Sequence, residues 1–125
     1  MRMKVLLDTN FLLLPHQRGV DVFDEIERLV PERHVLATLS AVVTELEGLV
    51  GASRDGVAAK VGLELLRHKG VEVMPSDGGA DESILEYASG GGVIVGTNDR
   101  KLRAKLRAAG VEVLCLRGGG RLERL

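Results

Sequence analysis

With Cys115 as its single cysteine, the chain has no intrachain disulfide to form, and chemistry between paired thiols is excluded. Histidine is scarce too: His16, His34 and His68 stand far apart, without the spacing of a zinc site. Tryptophan is absent and only Phe11, Phe23 and Tyr87 are aromatic, so an interface has to use aliphatic faces such as those of residues 20–30 and 55–68. No apolar run nears the roughly 20 residues that span a bilayer, and the N-terminus lacks the basic and apolar segments of a signal peptide. A cytoplasmic protein with no membrane partner is expected. Neither a P-loop nor a GxGxxG occurs. The Gly-rich "SGGG" (89–92) precedes an apolar run, whereas a phosphate cradle follows one, and "RGGG" (117–120) reads as tail. Without repeats or a long linker, 125 residues that are 45% hydrophobic make one globular domain.

Charge is abundant but unevenly placed. Residues 98–125 hold eight basic side chains against three acids, a local balance of +5, which leaves −6 on the first 97 residues of a chain whose total is −1. Such asymmetry suits a polyanionic partner; it also suits a solvated helix face followed by a basic tail.

Five β-branched runs read as strands: "KVLL" (4–7), "HVLAT" (34–38), "VEVM" (71–74), "GVIVG" (92–96) and "VEVLCL" (111–116). Helical periodicity occupies residues 20–30, 40–50, 55–70, 81–89 and 99–110. Gly70 and Gly110 each end a helix and lead directly into Val-Glu-Val, the join of a parallel crossover. The alternation predicts an α/β fold with a central five-stranded parallel sheet and helices on both faces. Residues 1–116 form the core of this single domain, and 117–125 a basic Gly/Arg tail.

In open sheets of this kind, sites lie at the carboxyl ends of the strands. Asp8 ends the first strand in "KVLLDTN". Asp81 opens the helix that follows "VEVM" and its "PSDGGA" loop, and Asp99 opens the helix after "VIVGTN". A glutamate of "VVTELE", either Glu45 or Glu47, joins them on a helix that starts at the same edge; periodicity does not choose between the two. Each aspartate alone suits an N-cap or first-turn position. Capping does not account for four acids at one edge, since carboxylates within ~4 to 6 Å raise one another's pKa. A hard divalent cation, Mg²⁺ or Mn²⁺, relieves that repulsion and supplies metal-assisted phosphodiester hydrolysis.

In order and spacing, "LLDTNFLL", "VVTELE", "ADESILEYA" and "VGTNDRKLRAKLRAAGVEVLCL" resemble the four acidic motifs of the PIN-domain nucleases over nearly the whole chain. The likeness leans towards the archaeal and eukaryotic ribosomal-RNA-processing subfamily, which has a similar "TNDRxLK/R" helix. The resemblance implies that Asp8, Glu45, Asp81 and Asp99 are catalytic and bind metal, with Asn10 and Thr97 in support, and it selects Glu45 over Glu47. It also implies an Mg²⁺- or Mn²⁺-dependent endoribonuclease acting on RNA, a homodimer, and a partner in ribosome assembly. Toxins of toxin-antitoxin pairs use the same domain and acids, which would make the partner an antitoxin instead. Arg100, Arg103 and Arg107 share one face of their helix and are the expected RNA contacts.

A noncatalytic PIN-like binding module would keep the acids only as caps, but none of the four is replaced. A haloacid-dehalogenase-like phosphatase needs a second aspartate two residues after Asp8, where this chain has Asn10. The acidic pair and late lysine of a response-regulator receiver are not evident.

Overall fold

The structure, a computed structural model, describes residues 2–125. Its elements are β1 (Met3–Leu7), α1 (Thr9–Arg18), α2 (Val22–Leu29), β2 (His34–Leu39), α3 (Ser40–Leu49), α4 (Arg54–His68) and β3 (Glu72–Met74). They continue as α5 (Ala80–Ala88), β4 (Val93–Gly96), α6 (Arg100–Ala108), β5 (Glu112–Arg117), a 3-10 turn (Gly118–Gly120) and β6 (Arg121–Arg124). The sheet order is β3-β2-β1-β4-β5-β6, with β1 to β5 parallel.

Val5, Leu6, Leu7, Ile94 and Val95 are completely buried. Continuous apolar runs of this kind belong to central parallel strands covered on both faces. From β1 the chain winds outward through β2 to β3, crosses back to β4, and then winds the other way. The direction reverses between β1 and β4, and the crevice at their carboxyl ends is where such sheets hold their sites. Gly70 and Gly110 take φ of 64° and 78° after α4 and α6, so both helix-to-strand joins carry the left-handed residue their sequence implies.

Helix α1 has no counterpart among the helices that periodicity predicts. Consecutive Leu12, Leu13 and Leu14 hide a helical period because α1 is buried on most of its circumference, Phe11 included, and Pro15 argues locally against a helix. Asp8 caps its start and Gly19 its end. Against α1 lies α4, whose buried face is Ala58, Ala59, Gly62 and Leu66. The backbones meet so closely that a Cβ on Gly62 would lie 2.7 Å from the Leu12 carbonyl oxygen.

Two expectations are corrected. The sheet has six strands, and the sixth runs antiparallel to β5. Residues 121–124 are therefore no tail: "RGGGR" folds as the turn of a hairpin, with Leu122 buried on the core side. The basic residues of this hairpin are spent on the chain's own acids. Glu25 of α2 accepts from Arg121 at 2.9 Å, from Arg28, and from the Leu122 amide, and these contacts hold its carboxyl well below the usual carboxylate range. Arg124 bonds Glu32 at 2.6 Å and also pairs with Glu112, while Arg117 pairs with Glu123.

The helix faces expected to form a dimer interface are likewise turned inward. Val22, Phe23 and Ile26 of α2 are buried in the chain's own core, as is the apolar stripe of α4. The large apolar side chains left exposed are Leu49, Val50, Val57, Val73 and Tyr87. No helix among the described residues is long and apolar enough to cross a membrane.

Candidate active site

Asp8 occupies the turn from β1 into α1 and is only 2% exposed. One carboxylate oxygen accepts the Thr9 amide at 2.8 Å, and the other accepts the Thr97 hydroxyl at 2.7 Å. Its own amide donates to the Gly96 carbonyl at 2.9 Å, extending the β1–β4 ladder to the site. Asp8 is thus both a cap and a carboxylate fixed from the start of α1 and from the loop after β4. Burial, followed by the charges of Asp81 and Glu45, pushes its carboxyl up to about 6.

Thr97, fully buried, follows β4. Its hydroxyl has one hydrogen, and the 2.7 Å contact to Asp8 takes it in preference to Asn10 at 3.4 Å. The same oxygen accepts the Asp99 amide at 3.2 Å. Asn10 supports the loop through a backbone group: its Oδ1 accepts the Asn98 amide at 2.8 Å. Asn98, which no sequence signal singles out, accepts the Leu116 amide at 3.3 Å and ties the loop to β5. Asp99 is the N-cap of α6, one oxygen accepting the Lys101 and Leu102 amides at 2.8 and 3.0 Å.

Glu45 and Asp81 stand at the exposed rim. Glu45 receives a hydrogen bond from the Thr9 hydroxyl, a contact that orients it towards Asp8; the only sequence signal for Thr9 is its place in "DTN". Asp81 sits in the first turn of α5, where Gly79 is the N-cap, and has no hydrogen bond or ion pair among the described residues. The protein packed around it, and then the charges of Asp99 and Glu45, raise its carboxyl above the ordinary range, with Lys105 opposing. The loop before α5 is held to α3 by Ser40 and Ser76, whose backbone and hydroxyl groups bond across the gap, Ser76 N to Ser40 Oγ at 2.9 Å.

Acids from separate segments therefore act on the two shifted carboxyls, Asp81 and Glu45 on Asp8, and Asp99 and Glu45 on Asp81. Among the described residues, no three Asp, Glu, His or Cys side chains close into a metal cage on their own. The donor set still fits Mg²⁺ or Mn²⁺. It consists of hard oxygens, and two of its carboxyls are held above the usual range, in part by uncompensated negative charge. Mg²⁺ in particular keeps several waters and takes one or two carboxylates directly.

The profile of the family described as PIN like domain matches residues 5–119. The chain belongs to the PIN-like domain family. Two curated relatives span most of it: ribonuclease VapC4 of Methanocaldococcus jannaschii is 34% identical over 119 residues, covering 91% of this chain and 90% of its own. Ribonuclease VapC9 of Archaeoglobus fulgidus is 32% identical over 110 residues, covering 86% and 78%. Among solved structures, the PIN domain endonuclease Utp24 superposes with a TM-score of 0.78 at 23% identity over 97% of this chain and 90% of its own. A domain of a protein of unknown function from M. jannaschii superposes with a TM-score of 0.65 at 19% identity, over 94% and 93%. These two likenesses are of fold.

On this PIN-like domain the three arginines expected to contact RNA separate. Arg100 and Arg103 lie at the start of α6, beside the acids, and Arg107 lies a turn further away on an exposed face. Leu102 and Leu106 fill the opposite face and are buried, as their spacing implies.

Proposed function

We propose that the chain is a divalent-metal-dependent endoribonuclease, with Asp8, Glu45, Asp81 and Asp99 holding Mg²⁺ or Mn²⁺. The observation that carries the proposal is Asp81: a carboxylate with no hydrogen-bond or ion-pair partner among the described residues, close enough to Asp99 and Glu45 to feel their charge. A bound hard cation supplies charge neutralisation at the phosphodiester and an activated, oriented water. Asp8 contributes a fixed oxygen set by Thr9 and Thr97. Glu45, steered by the Thr9 hydroxyl, and Asp81 face it across the crevice, and Asp99 offers the oxygen that its capping role leaves free. Asn10 and Asn98 keep the 97–99 loop from shifting these groups.

The test uses the purified protein with structured and unstructured RNA in Mn²⁺, Mg²⁺ or EDTA. Cleavage is expected with either ion and not in EDTA. Asp81→Asn should fold with an equal or higher metal-free Tm and lose cleavage at least about 100-fold, the scale of removing one preorganised electrostatic group. Cutting at the wild-type rate would remove Asp81 from the site.

Two settings suit such an activity, ribosomal RNA processing and the toxin of a toxin-antitoxin pair. The relatives at 34% and 32% identity are VapC ribonucleases, whereas the likeness to Utp24 is one of fold, so the sequence relationships favour the toxin setting and an antitoxin partner. Cleavage confined to ribosomal RNA precursors would favour processing and an assembly partner instead. We propose a homodimer through Leu49, Val50 and Val57, which cluster around the α3–α4 junction. Light scattering at tens of micromolar should give twice the 13.4 kDa chain mass, and a monomer there would remove the proposal.

A further inference from the structure

Beside the acidic crevice lies a cleft of about 480 Å³ whose lining includes Arg18, Asn98, Arg100, Arg103 and Arg117 and no acid. The four guanidinium groups come from three elements: Arg18 ends α1, Arg100 and Arg103 open α6, and Arg117 ends β5. Arg18, Arg100 and Arg103 have no ion pair among the described residues, in contrast to Arg121 and Arg124 of the neighbouring hairpin. Like charges do not gather without compensation when a fold places them for its own stability, and here the fold leaves three unneutralised. Arginine's planar fork matches a phosphate bidentately, and several forks around one cleft match a phosphodiester chain.

We propose that this cleft seats a backbone phosphate of the RNA strand other than the one being cut, and so sets the direction in which the strand leaves the acids. The proposal rests on the ribonuclease reading and deepens it. Asn98 and Arg100 bracket Asp99 in sequence, so cleft and crevice are adjacent, and an RNA strand lying over the acids enters one from the other. On the far side of the crevice, α3, α5 and the loop before α5 expose Glu45, Glu47, Asp77, Asp81 and Glu82, which repel a polyanion. The strand therefore runs over α6 towards α1 and β5. Arg107, which lies outside the cleft lining, takes no part in this seat.

Binding is tested apart from cleavage, in EDTA and on an Asp81→Asn background, with a labelled single-stranded RNA oligonucleotide titrated across a series of salt concentrations. Adding Arg18→Ala and Arg103→Ala, which remove two unpaired guanidinium groups of the lining, should weaken binding about tenfold or more, as removal of charged hydrogen bonds does. The salt slope should fall by about 0.7 for each phosphate that no longer meets an arginine. Arg18→Ala alone should show part of the effect without touching the β5–β6 hairpin, and Arg121→Ala, whose guanidinium is already paired with Glu25, should show none. Unchanged affinity and slope in the double variant overturn the cleft as an RNA seat. So does unchanged RNA binding in a double variant that no longer binds a poly-glutamate peptide, which would assign the cleft to an acidic protein segment. If wild type cuts no RNA yet the arginine variants bind RNA more weakly, the ribonuclease reading fails while the cleft stands.

Discussion

Asp8→Asn should make the metal-free protein more stable at neutral pH and at the same time abolish its cleavage of RNA. The carboxylate is 2% exposed and its carboxyl is pushed up to about 6 from an ordinary 3.8, burial being the first cause. A group bound more tightly by protons in the fold than in the unfolded chain contributes stability that is fully present below pH 3.8 and is lost as pH rises through about 6. The shift corresponds to at most about 3 kcal/mol. Asparagine preserves the shape: its oxygen accepts the Thr9 amide, and its amide group donates to the Thr97 hydroxyl, which then turns its hydrogen towards Asn10. Denaturant melts without metal should therefore show wild type losing stability as pH rises from about 4 to a little above 6, and Asp8→Asn holding it, a gain of about 1–3 kcal/mol at about pH 7.5. Mn²⁺ reverses the order. It should raise wild type by about 2.7 kcal/mol at a hundredfold excess over Kd and the variant by much less. A variant less stable than wild type without metal would show that the charge is not the governing cost, and one that cuts normally would move the chemistry elsewhere.

Gly62→Val should unfold the protein or come close to it, and Gly62→Ala should destabilise it by about 1–3 kcal/mol, the range of overpacked cores. Glycine inside an exposed helix behaves oppositely, since replacement by alanine there stabilises by up to about 1 kcal/mol. The sign reverses here because the added carbon meets the Leu12 carbonyl oxygen at 2.7 Å, and a carbonyl in the middle of α1 cannot rotate aside as a side-chain tip can. Relief requires α4 to move away from α1, opening the packing that covers Leu12. Urea midpoints of the two variants provide the check, with exposed Gly48→Ala as the control in which nothing lies within 4 Å. Equal stability of Gly62→Ala and wild type would mean that α1 and α4 sit further apart.

Asp8 is legible in the sequence because it ends the first apolar run, and Asp99 because it marks a change of period from strand to helix; both do cap the helices that follow. Asp81 is legible for the same reason, although it caps nothing. Glu45 is not separable from Glu47 by period; what distinguishes it in the fold is the Thr9 hydroxyl, a bond spanning 36 residues that no local pattern reports. The bond from Thr97 to Asp8 spans 89 residues and is equally invisible. Helix α1 is hidden by its own burial, since a helix apolar on most sides loses the alternation that reveals a helix. β6 is hidden by charge: "RLER" has one apolar residue flanked by polar ones, Leu122, and its arginines read as a solvated tail until the fold supplies Glu25, Glu32 and Glu112 opposite them. Arg18 and Arg117 carry no motif at all, and only the meeting of α1 with the end of β5 makes them neighbours of Arg100.

The placement of the crevice between the first strand and the fourth also governs when it can exist. Asp8, Glu45 and Asp81 are all translated before Thr97, whose amide must still find the Leu114 carbonyl at 3.0 Å, and Asn98 must find the Leu116 amide. The bond from Thr97 to Asp8, 89 residues apart, forms late in folding, because long loops must close before they are rewarded. A growing polypeptide thus carries three of its four acids for most of its synthesis without the hydroxyl that aims the first of them. If the proposed ribonuclease reading holds, a chain built in this order would complete its site only once its last strands had emerged.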